Sequence, residues 1–253
     1  MILTAAFSPC PNDIFLFRSF LNNEVSPVLN QITITDIQTL NQLAVKRQFS
    51  LMKMSASLFP EVSDYYNLLE VGNTLGHNCG PILLSKDPEA PLLTIATPGD
   101  ATTAHTLCKH HYPEARLIPM PYGNILNAIL SDEVCGGVLI HEERFSYDPC
   151  LHLRADFGKL WQRNTVFPLP LGCIAIAKDV PQPLVQHLTN SLRKSLLASL
   201  QNPDSAGALA TQYSKNKDLQ VIHQFIATYV NKETFYLSKS GKKAFHMLWQ
   251  YDV

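Results

Sequence analysis

The chain alternates short apolar runs with amphipathic helical patterns, and this alternation restricts its fold more than any other feature. Helical patterns separate several of the runs, at residues 40–49, 101–112 and 123–130. The runs that we predict to be buried strands are Ile2–Phe7, Ile32–Ile37, Leu51–Met54, Pro81–Ser85, Leu93–Thr97, Arg116–Pro119, Gly137–His141 and Gly172–Ala177. Strands alternating with helices predict an α/β protein with mostly parallel sheets.

The last part of the chain has a purely helical pattern. Between Gln182 and Gln201, leucines recur at every fourth position, which is typical of one long amphipathic helix. Residues 218–230 and 241–249 show two further helical patterns. We therefore predict a helical C-terminal segment that packs on an α/β body.

Two polar or proline-rich segments, residues 85–91 and 167–172, are the best candidates for connections between lobes. They predict a larger, discontinuous lobe of residues 1–87 plus 170–253 and a smaller inserted lobe of residues 88–169. Because two crossings between lobes can act as a hinge, we expect a ligand cleft between them.

Composition excludes several classes of function. The 20 basic and 21 acidic residues are spread along the chain, which argues against a nucleic-acid surface. No apolar run approaches the length of a membrane span, and the N-terminal run is too short for a signal peptide. We therefore expect a cytoplasmic protein with reduced cysteines and no membrane partner.

The sequence offers little support for a metal or a nucleotide cofactor. No glycine-rich phosphate-binding motif and no C-x-x-C pair is present. Cys108, His110 and His111 crowd one predicted helix, but their spacing fits a solvated helix face better than a metal site. We expect neither cofactor nor metal.

The stretch FSPCPNDIF, residues 7–15, predicts a strand, a rigid turn and a helix start. Pro9 and Pro11 fix the backbone, while Asn12 and Asp13 are good N-cap residues. Because this turn is expected to form one wall of a ligand cleft, Asn12 and Asp13 are also predicted to bind the substrate. Cys10 lies at the predicted helix start, where a thiolate is favoured, but a small packing residue is the commoner role.

Three further junctions follow predicted strands and carry hydroxyl groups or a histidine. Ser55 follows one strand, Thr102 and Thr103 follow another, and His141 ends a third. Ligands of open α/β sheets bind beyond the carboxyl ends of strands, and helix N-termini with hydroxyl groups suit an anion. The sequence therefore predicts a site for a small acidic molecule, although any one of these hydroxyls could be an ordinary cap.

Lys53 and His141 are the two ionisable residues of this predicted site that could take part in its chemistry. Lys53 interrupts an apolar run, so its side chain either reaches the surface or enters the cleft. His141 precedes Glu142 and Glu143, either of which could orient its ring, and histidine can accept a proton without a cofactor. A structural role for this histidine is the alternative.

With these residues in view, the chain resembles the 1,4-dihydroxy-6-naphthoate synthase family of the futalosine route to menaquinone. The matching motifs are FSPCPNDIF (7–15), DIQTLN (36–41), LGHNCGP (75–81), PGDATTA (98–104), GGVLIHEERFSY (136–147), DFGKLWQRNT (156–165) and PLPLG (168–172). They occur in the family's order and span most of the chain before the helical segment.

The resemblance implies a two-lobed fold of the type II periplasmic-binding-protein kind, used by a lyase. The implied reaction cleaves cyclic dehypoxanthinyl futalosine to 1,4-dihydroxy-6-naphthoate and dihydroxyacetone. The positions that match the family's substrate-binding residues are Lys53, Met54, Ser55, Thr102 and Thr103. The resemblance also implies that His141 is the proton acceptor.

Three positions depart from the family's usual pattern. Ala56 stands where the family often has an aromatic residue, and His77 and Asn78 stand where arginine and glycine are common. These changes bear on the fit of the substrate more than on the chemistry. Two alternatives stay open: a chorismate dehydratase of the same pathway, and a non-catalytic intracellular binding protein for a small carboxylate.

Overall fold

The computed structural model of the protein describes residues 2–27 and 29–251. The strands in these ranges are β1 (Thr4–Phe7), β2 (Gln31–Ile34), β3 (Leu51–Ser55), β4 (Tyr66–Leu68), β5 (Thr74–Gly76), β6 (Ile82–Ser85), β7 (Thr94–Thr97), β8 (Arg116–Pro119), β9 (Gly136–Leu139), β10 (His152–Asp156) and β11 (Leu169–Ala177). The helices are α1 (Pro11–Leu21), α2 (Ile37–Val45), α3 (Phe59–Val62), α4 (Thr103–His111), α5 (Tyr122–Leu130), α6 (Phe157–Asn164), α7 (Gln182–Gln201), α8 (Pro203–Tyr213), α9 (Leu219–Tyr229), α10 (Lys232–Phe235) and α11 (Lys239–Leu248). Two 3-10 turns cover Ala56–Leu58 and His141–Phe145.

The strands form two separate sheets. The first has the order β2-β1-β3-β11-β4, with β5 also pairing with β11. The second has the order β10-β6-β9-β7-β8. Because β6 belongs to the second sheet, the chain passes between the sheets after β5 and returns before β11. The lobe bounds at residues 87 and 169 stay a prediction.

Both sheets are mixed, so the prediction of mostly parallel sheets was wrong. Parallel pairing joins β1 to β2 and β3, and β7 to β8 and β9. β11 runs antiparallel to β3, β4 and β5, and β6 runs antiparallel to β9 and β10. The reversed strands β6 and β11 are the first strands after each crossing between sheets, where no helical crossover forces a parallel return.

Helix α1 begins directly after the stiff turn of the opening motif. Cys10, not Asn12 or Asp13, is the N-cap residue, and Pro11 occupies the first helical position. Proline suits that position because its missing N–H would have no partner inside the helix. The predicted N-cap roles of Asn12 and Asp13 were therefore wrong, and both side chains are free for other contacts.

The helical segment packs on α1. Leu188, Leu192 and Leu196 of α7 are fully buried, and each stabilises the fold by about 1.5–3 kcal/mol. Between them, small side chains let the two helices approach, and the Ser199 hydroxyl donates a hydrogen bond to the Phe15 carbonyl oxygen at 2.7 Å. Nowhere in residues 2–27 and 29–251 is there a helix long and apolar enough to cross a membrane.

Candidate active site

A cavity of about 100 Å³ lies between the two sheets, beyond the ends of β1, β3, β7 and β9. Its walls combine residues of both sheets with two residues of α9. The lining residues are Ser8, Cys10, Asn12, Asp13, Ile37, Lys53, Ser55, Thr74, Gly80, Pro81, Thr102, Thr103, Ala104, Ile140, His141, Arg144, Leu171, Gly172, Phe225 and Tyr229. The structure thus brings the four junctions of the sequence to one place.

A buried ion pair forms the floor of the cavity. The Lys53 ammonium lies 2.9 Å from Asp13 Oδ1 and donates a second hydrogen bond to Thr74 Oγ1 at 2.9 Å. Asp13 also accepts a hydrogen bond from the Ser8 hydroxyl at 2.6 Å and one from the Asn12 amide at 3.0 Å. Lys53 therefore enters the cleft and does not reach the protein surface.

The predicted hydroxyl groups line the cavity but are engaged in the fold. Ser55 Oγ accepts a hydrogen bond at 3.0 Å from Asn41, whose side-chain oxygen also accepts from the Ser55 backbone N–H. Thr102 caps α4, since its hydroxyl oxygen accepts from the His105 backbone N–H. Thr103 donates to the Leu171 carbonyl oxygen at 2.9 Å, which joins the α4 terminus to β11.

Met54 does not line the cavity, so the geometry gives no support to its predicted role in substrate binding. Side chains alternate along a strand, and Lys53 and Ser55 share the face of β3 that meets the cavity. Met54 points to the other face and is fully buried in the hydrophobic core.

His141 begins the 3-10 turn that follows β9, because the strand ends at Leu139, two residues earlier than predicted. Its backbone has a φ of 58°, in the left-handed region that non-glycine residues seldom adopt. Such strain is maintained only where the surrounding structure holds it, and it is common at active sites. The turn aims the half-buried imidazole into the cavity.

The nearest polar partner of the imidazole is a thiol. Cys10 Sγ lies 3.0 Å from His141 Nδ1, although the two residues are 131 positions apart in the chain. The His141 and Tyr122 rings also form a T-shaped pair, with centroids 5.1 Å apart. The sequence favoured a packing role for Cys10. In the structure its thiol also contacts the imidazole of His141.

The two glutamates after His141 have other partners. Glu142 is buried and accepts a hydrogen bond from the Asn216 backbone N–H at 3.1 Å, while Glu143 pairs with the Lys215 ammonium. Residues 215 and 216 join α8 to α9 in the helical segment. The glutamates thus hold the turn of His141 against the helical segment, and neither was found to orient the ring by a hydrogen bond.

Arg144 fixes the far end of the same turn. Its guanidinium donates to Asp156 at 2.9 Å and to the Tyr229 hydroxyl at 3.0 Å, and it contacts the Gly80 carbonyl oxygen at 2.5 Å. Burial opposes the charged form of Arg144, but Tyr229 and Asp156 outweigh it and raise the pKa of the guanidinium. Sequence reasoning missed Arg144, Tyr229 and Thr74, since each becomes part of the cavity only through contacts between distant segments.

The protonation states of the central pair follow from its surroundings. Burial lowers the pKa of His141, although the charges of Glu142 and Glu143 oppose that effect. Burial raises the pKa of the Cys10 thiol well above its usual value, and the nearby carboxylates of Glu142 and Asp13 add to the rise. At neutral pH the imidazole is therefore uncharged and the thiol keeps its proton.

Cys108 and His110 of α4 have separate surroundings. Over the part of the chain that the structure describes, no three His, Cys, Asp or Glu side chains are grouped to hold a metal ion. Cys108 is buried in the core, and the His110 ring packs at a tilt against the Tyr251 ring, with centroids 4.0 Å apart.

Comparison with known proteins assigns the family. Residues 3–252 match the family model described as "Menaquinone biosynthesis". The chain belongs to this family. Two curated relatives are each 32% identical over 96% of the chain and are named 1,4-dihydroxy-6-naphthoate synthase: one from Streptomyces coelicolor, covered over 89% of its length, and one from Thermus thermophilus, covered over 90%.

Solved structures confirm the fold of the family member. Protein AF1704 from Archaeoglobus fulgidus superposes with a TM-score of 0.93 at 30% identity, with 98% of this chain and 96% of that chain covered. A Candida albicans protein described as having the generic periplasmic binding protein fold gives a TM-score of 0.68 at 9% identity, over 98% and 90% of the two chains. The prediction of an α/β fold like that of periplasmic binding proteins is thus confirmed.

Proposed function

We propose that the chain is a 1,4-dihydroxy-6-naphthoate synthase in which His141 is the general base. The reaction is the cleavage of cyclic dehypoxanthinyl futalosine to 1,4-dihydroxy-6-naphthoate and dihydroxyacetone. The family membership and both named relatives support the activity. The observation that carries the residue assignment is the position of one uncharged imidazole in a cavity shared with Ser55, Thr102 and Thr103.

The proposed chemistry needs a proton removed next to a carbonyl group, followed by ring cleavage and aromatisation. An uncharged imidazole can accept that proton, and such general-base catalysis contributes roughly 10²- to 10⁴-fold in rate. The negative charge that develops on the carbonyl oxygen needs nearby donors. The Ser55 hydroxyl and the Lys53 ammonium lie on the cavity wall and are suited to supply them, since Ser55 only accepts from Asn41 and Lys53 has one N–H beyond its contacts with Asp13 and Thr74.

Substrate entry requires the cleft to open. The cavity of about 100 Å³ is smaller than the roughly 300–1,000 Å³ of typical small-molecule pockets. The contacts that close it join the two sides: the Thr103 hydroxyl to Leu171, Cys10 to His141, and Glu143 to Lys215. We propose that these contacts separate to admit the substrate and re-form around it, which excludes water during the reaction.

We also propose that the protein is located in the cytoplasm. All six cysteines are unpaired in the structure, which supports the reducing environment of a cytoplasm.

The activity and the role of His141 can be tested together. The purified protein is supplied with cyclic dehypoxanthinyl futalosine, and naphthoate is followed by its absorbance. His141→Asn is the variant of choice, because asparagine tolerates the left-handed backbone of this position and is no base. We expect kcat to fall by about 10²- to 10⁴-fold while the substrate still binds.

The control is His187→Asn, which changes an exposed histidine of α7 and should leave kcat unaltered. Full turnover by His141→Asn would remove the base assignment but leave the activity intact. Binding of the substrate without any product in the wild-type protein would instead support a binding protein. Dehydration of chorismate in place of futalosine cleavage would support the dehydratase.

A further inference from the structure

The contact between Cys10 and His141 joins the two sides of the cleft at the reacting group. Cys10 is the N-cap residue of α1, which follows the first sheet, whereas His141 follows β9 of the second sheet. Both side chains line the cavity, and Sγ and Nδ1 lie 3.0 Å apart. A thiol placed so close to a histidine nitrogen fixes what that nitrogen can do.

An uncharged imidazole carries one proton, on either Nδ1 or Nε2, and the partner of one nitrogen decides the role of the other. If Nδ1 donates its proton to the Cys10 sulfur, then Nε2 keeps a free lone pair and can act as a base. If the thiol donates to Nδ1, then Nε2 carries the proton and can only donate. The direction of the hydrogen bond between Nδ1 and the sulfur therefore decides whether Nε2 can act as a base or only as a hydrogen-bond donor.

The other polar and charged groups around the ring leave Nδ1 to the sulfur. Asp13 is paired with Lys53, Glu143 is paired with Lys215, and Glu142 accepts from the Asn216 backbone. The Tyr122 ring forms a T-shaped pair with the imidazole. Within the described residues, Cys10 is the one hydrogen-bond partner found for His141.

We propose that Cys10 is a positioning residue that accepts the Nδ1 proton of His141 and so presents the Nε2 lone pair to the substrate. This inference rests on the proposed function of His141. A neutral sulfur is a weak acceptor, so it orients the ring without stabilising the imidazolium as a carboxylate does. The proton taken from the substrate is then readily given back at a later step. The contact also bridges the two sides of the cleft. Cys10 therefore orients the His141 ring only when the cleft is closed.

The first test is spectroscopic and needs no turnover. Nitrogen-15 NMR of histidine-labelled protein distinguishes a protonated Nδ1 from a protonated Nε2, and the His141→Asn variant assigns the signal. We expect His141 to be protonated on Nδ1 in the wild-type protein and to lose this preference in Cys10→Ala. A wild-type His141 protonated on Nε2 would overturn the proposal.

The second test compares steady-state kinetics of Cys10→Ala and Cys10→Ser. Loss of the partner that orients a metal-bound histidine costs about 10- to 100-fold, and we expect a loss of the same order in kcat here, with little change in KM. Serine can also accept the Nδ1 proton, so Cys10→Ser should restore most of kcat and the Nδ1-protonated form. Equal kcat in Cys10→Ala and the wild-type protein would refute the positioning role.

A matched control separates this role from general effects of thiol removal. Cys150→Ala changes an exposed cysteine and should alter neither the NMR signal nor kcat. The NMR result stands whether or not the protein cleaves futalosine, so a failure of the proposed function and a failure of the Cys10 proposal can be told apart. Thermal unfolding of each variant checks that the fold is retained.

Discussion

Replacement of Lys53 by methionine should destabilise the protein strongly, because it removes one partner of a buried ion pair. The side chains of Lys53 and Asp13 are 6% and 1% exposed, with their charged atoms 2.9 Å apart. Methionine keeps the apolar stem of lysine but leaves the Asp13 carboxylate without its counter-ion. Isolated buried charges are costly, whereas the removal of both charges is often nearly neutral.

The expected magnitude follows from what remains around Asp13. Breaking a buried pair costs about 3–5 kcal/mol. Asp13 keeps its hydrogen bonds from the Ser8 hydroxyl and the Asn12 amide, so the lower end applies, at about 3 kcal/mol. For a chain of this size that loss lowers Tm by about 6–12 °C.

A double-mutant cycle isolates the contribution of the pair. Urea unfolding of Lys53→Met, Asp13→Asn and the double variant should show a coupling of about 2 kcal/mol, with the double variant more stable than the sum of the single changes predicts. The control is the surface pair of Lys86 and Asp132, whose charged atoms are closer, at 2.6 Å, but whose side chains are 40% and 75% exposed. Lys86→Met should cost less than about 1 kcal/mol.

Equal costs for Lys53→Met and Lys86→Met would refute the reasoning, since it attributes the effect to burial and not to distance. Additive single changes at Lys53 and Asp13 would equally show that the two charges do not depend on each other.

Two further outcomes follow from the structure. Glu143→Gln should lower kcat/KM in the naphthoate assay, because it weakens the contact with Lys215 that holds the turn of His141. The control is Glu133→Gln, which changes an exposed residue and should leave kcat/KM unaltered. The free energy of unfolding should fall as pH rises above about 9, because the folded chain holds the protons of Cys108 and Cys173 up to a pKa of about 12 while unfolded thiols release them near 9. Each thiol contributes about 1.4 kcal/mol per pH unit in that range, so urea unfolding of a Cys108→Ala/Cys173→Ala variant at pH 8 and 9.5 should show a weaker pH dependence.

Elements with a strong local pattern were predictable from the sequence. The leucines of α7 repeat at every fourth position, and the helix spans Gln182–Gln201 as predicted. β4, β5 and β10 were missed because their own residues carry little apolar pattern and the strands are defined by pairing with distant segments. α8 was missed because its small residues give only a weak apolar face.

The candidate site divides in the same way. Ser55, Thr103 and His141 each lie at the end of a strand or shortly after one, and local sequence was enough to nominate them. Met54 was nominated by resemblance, although the alternation of side chains along β3 already opposed Met54 to Lys53. The contact of Cys10 with His141 has no local signal, since it depends on how the two sheets are placed.

The position of β11 in the first sheet has a consequence for the order in which the protein can be assembled. β4 and β5 have no other strand partner in the described structure, and β11 lies between β3 and β4. Every strand of the second sheet precedes β11 in the chain. As the ribosome releases the polypeptide, the inserted half can complete its hydrogen-bonded ladder while the outer half still waits for its central strand. The cavity between the two sheets can therefore form only after β11 has joined the first sheet, and its α9 wall is added later still.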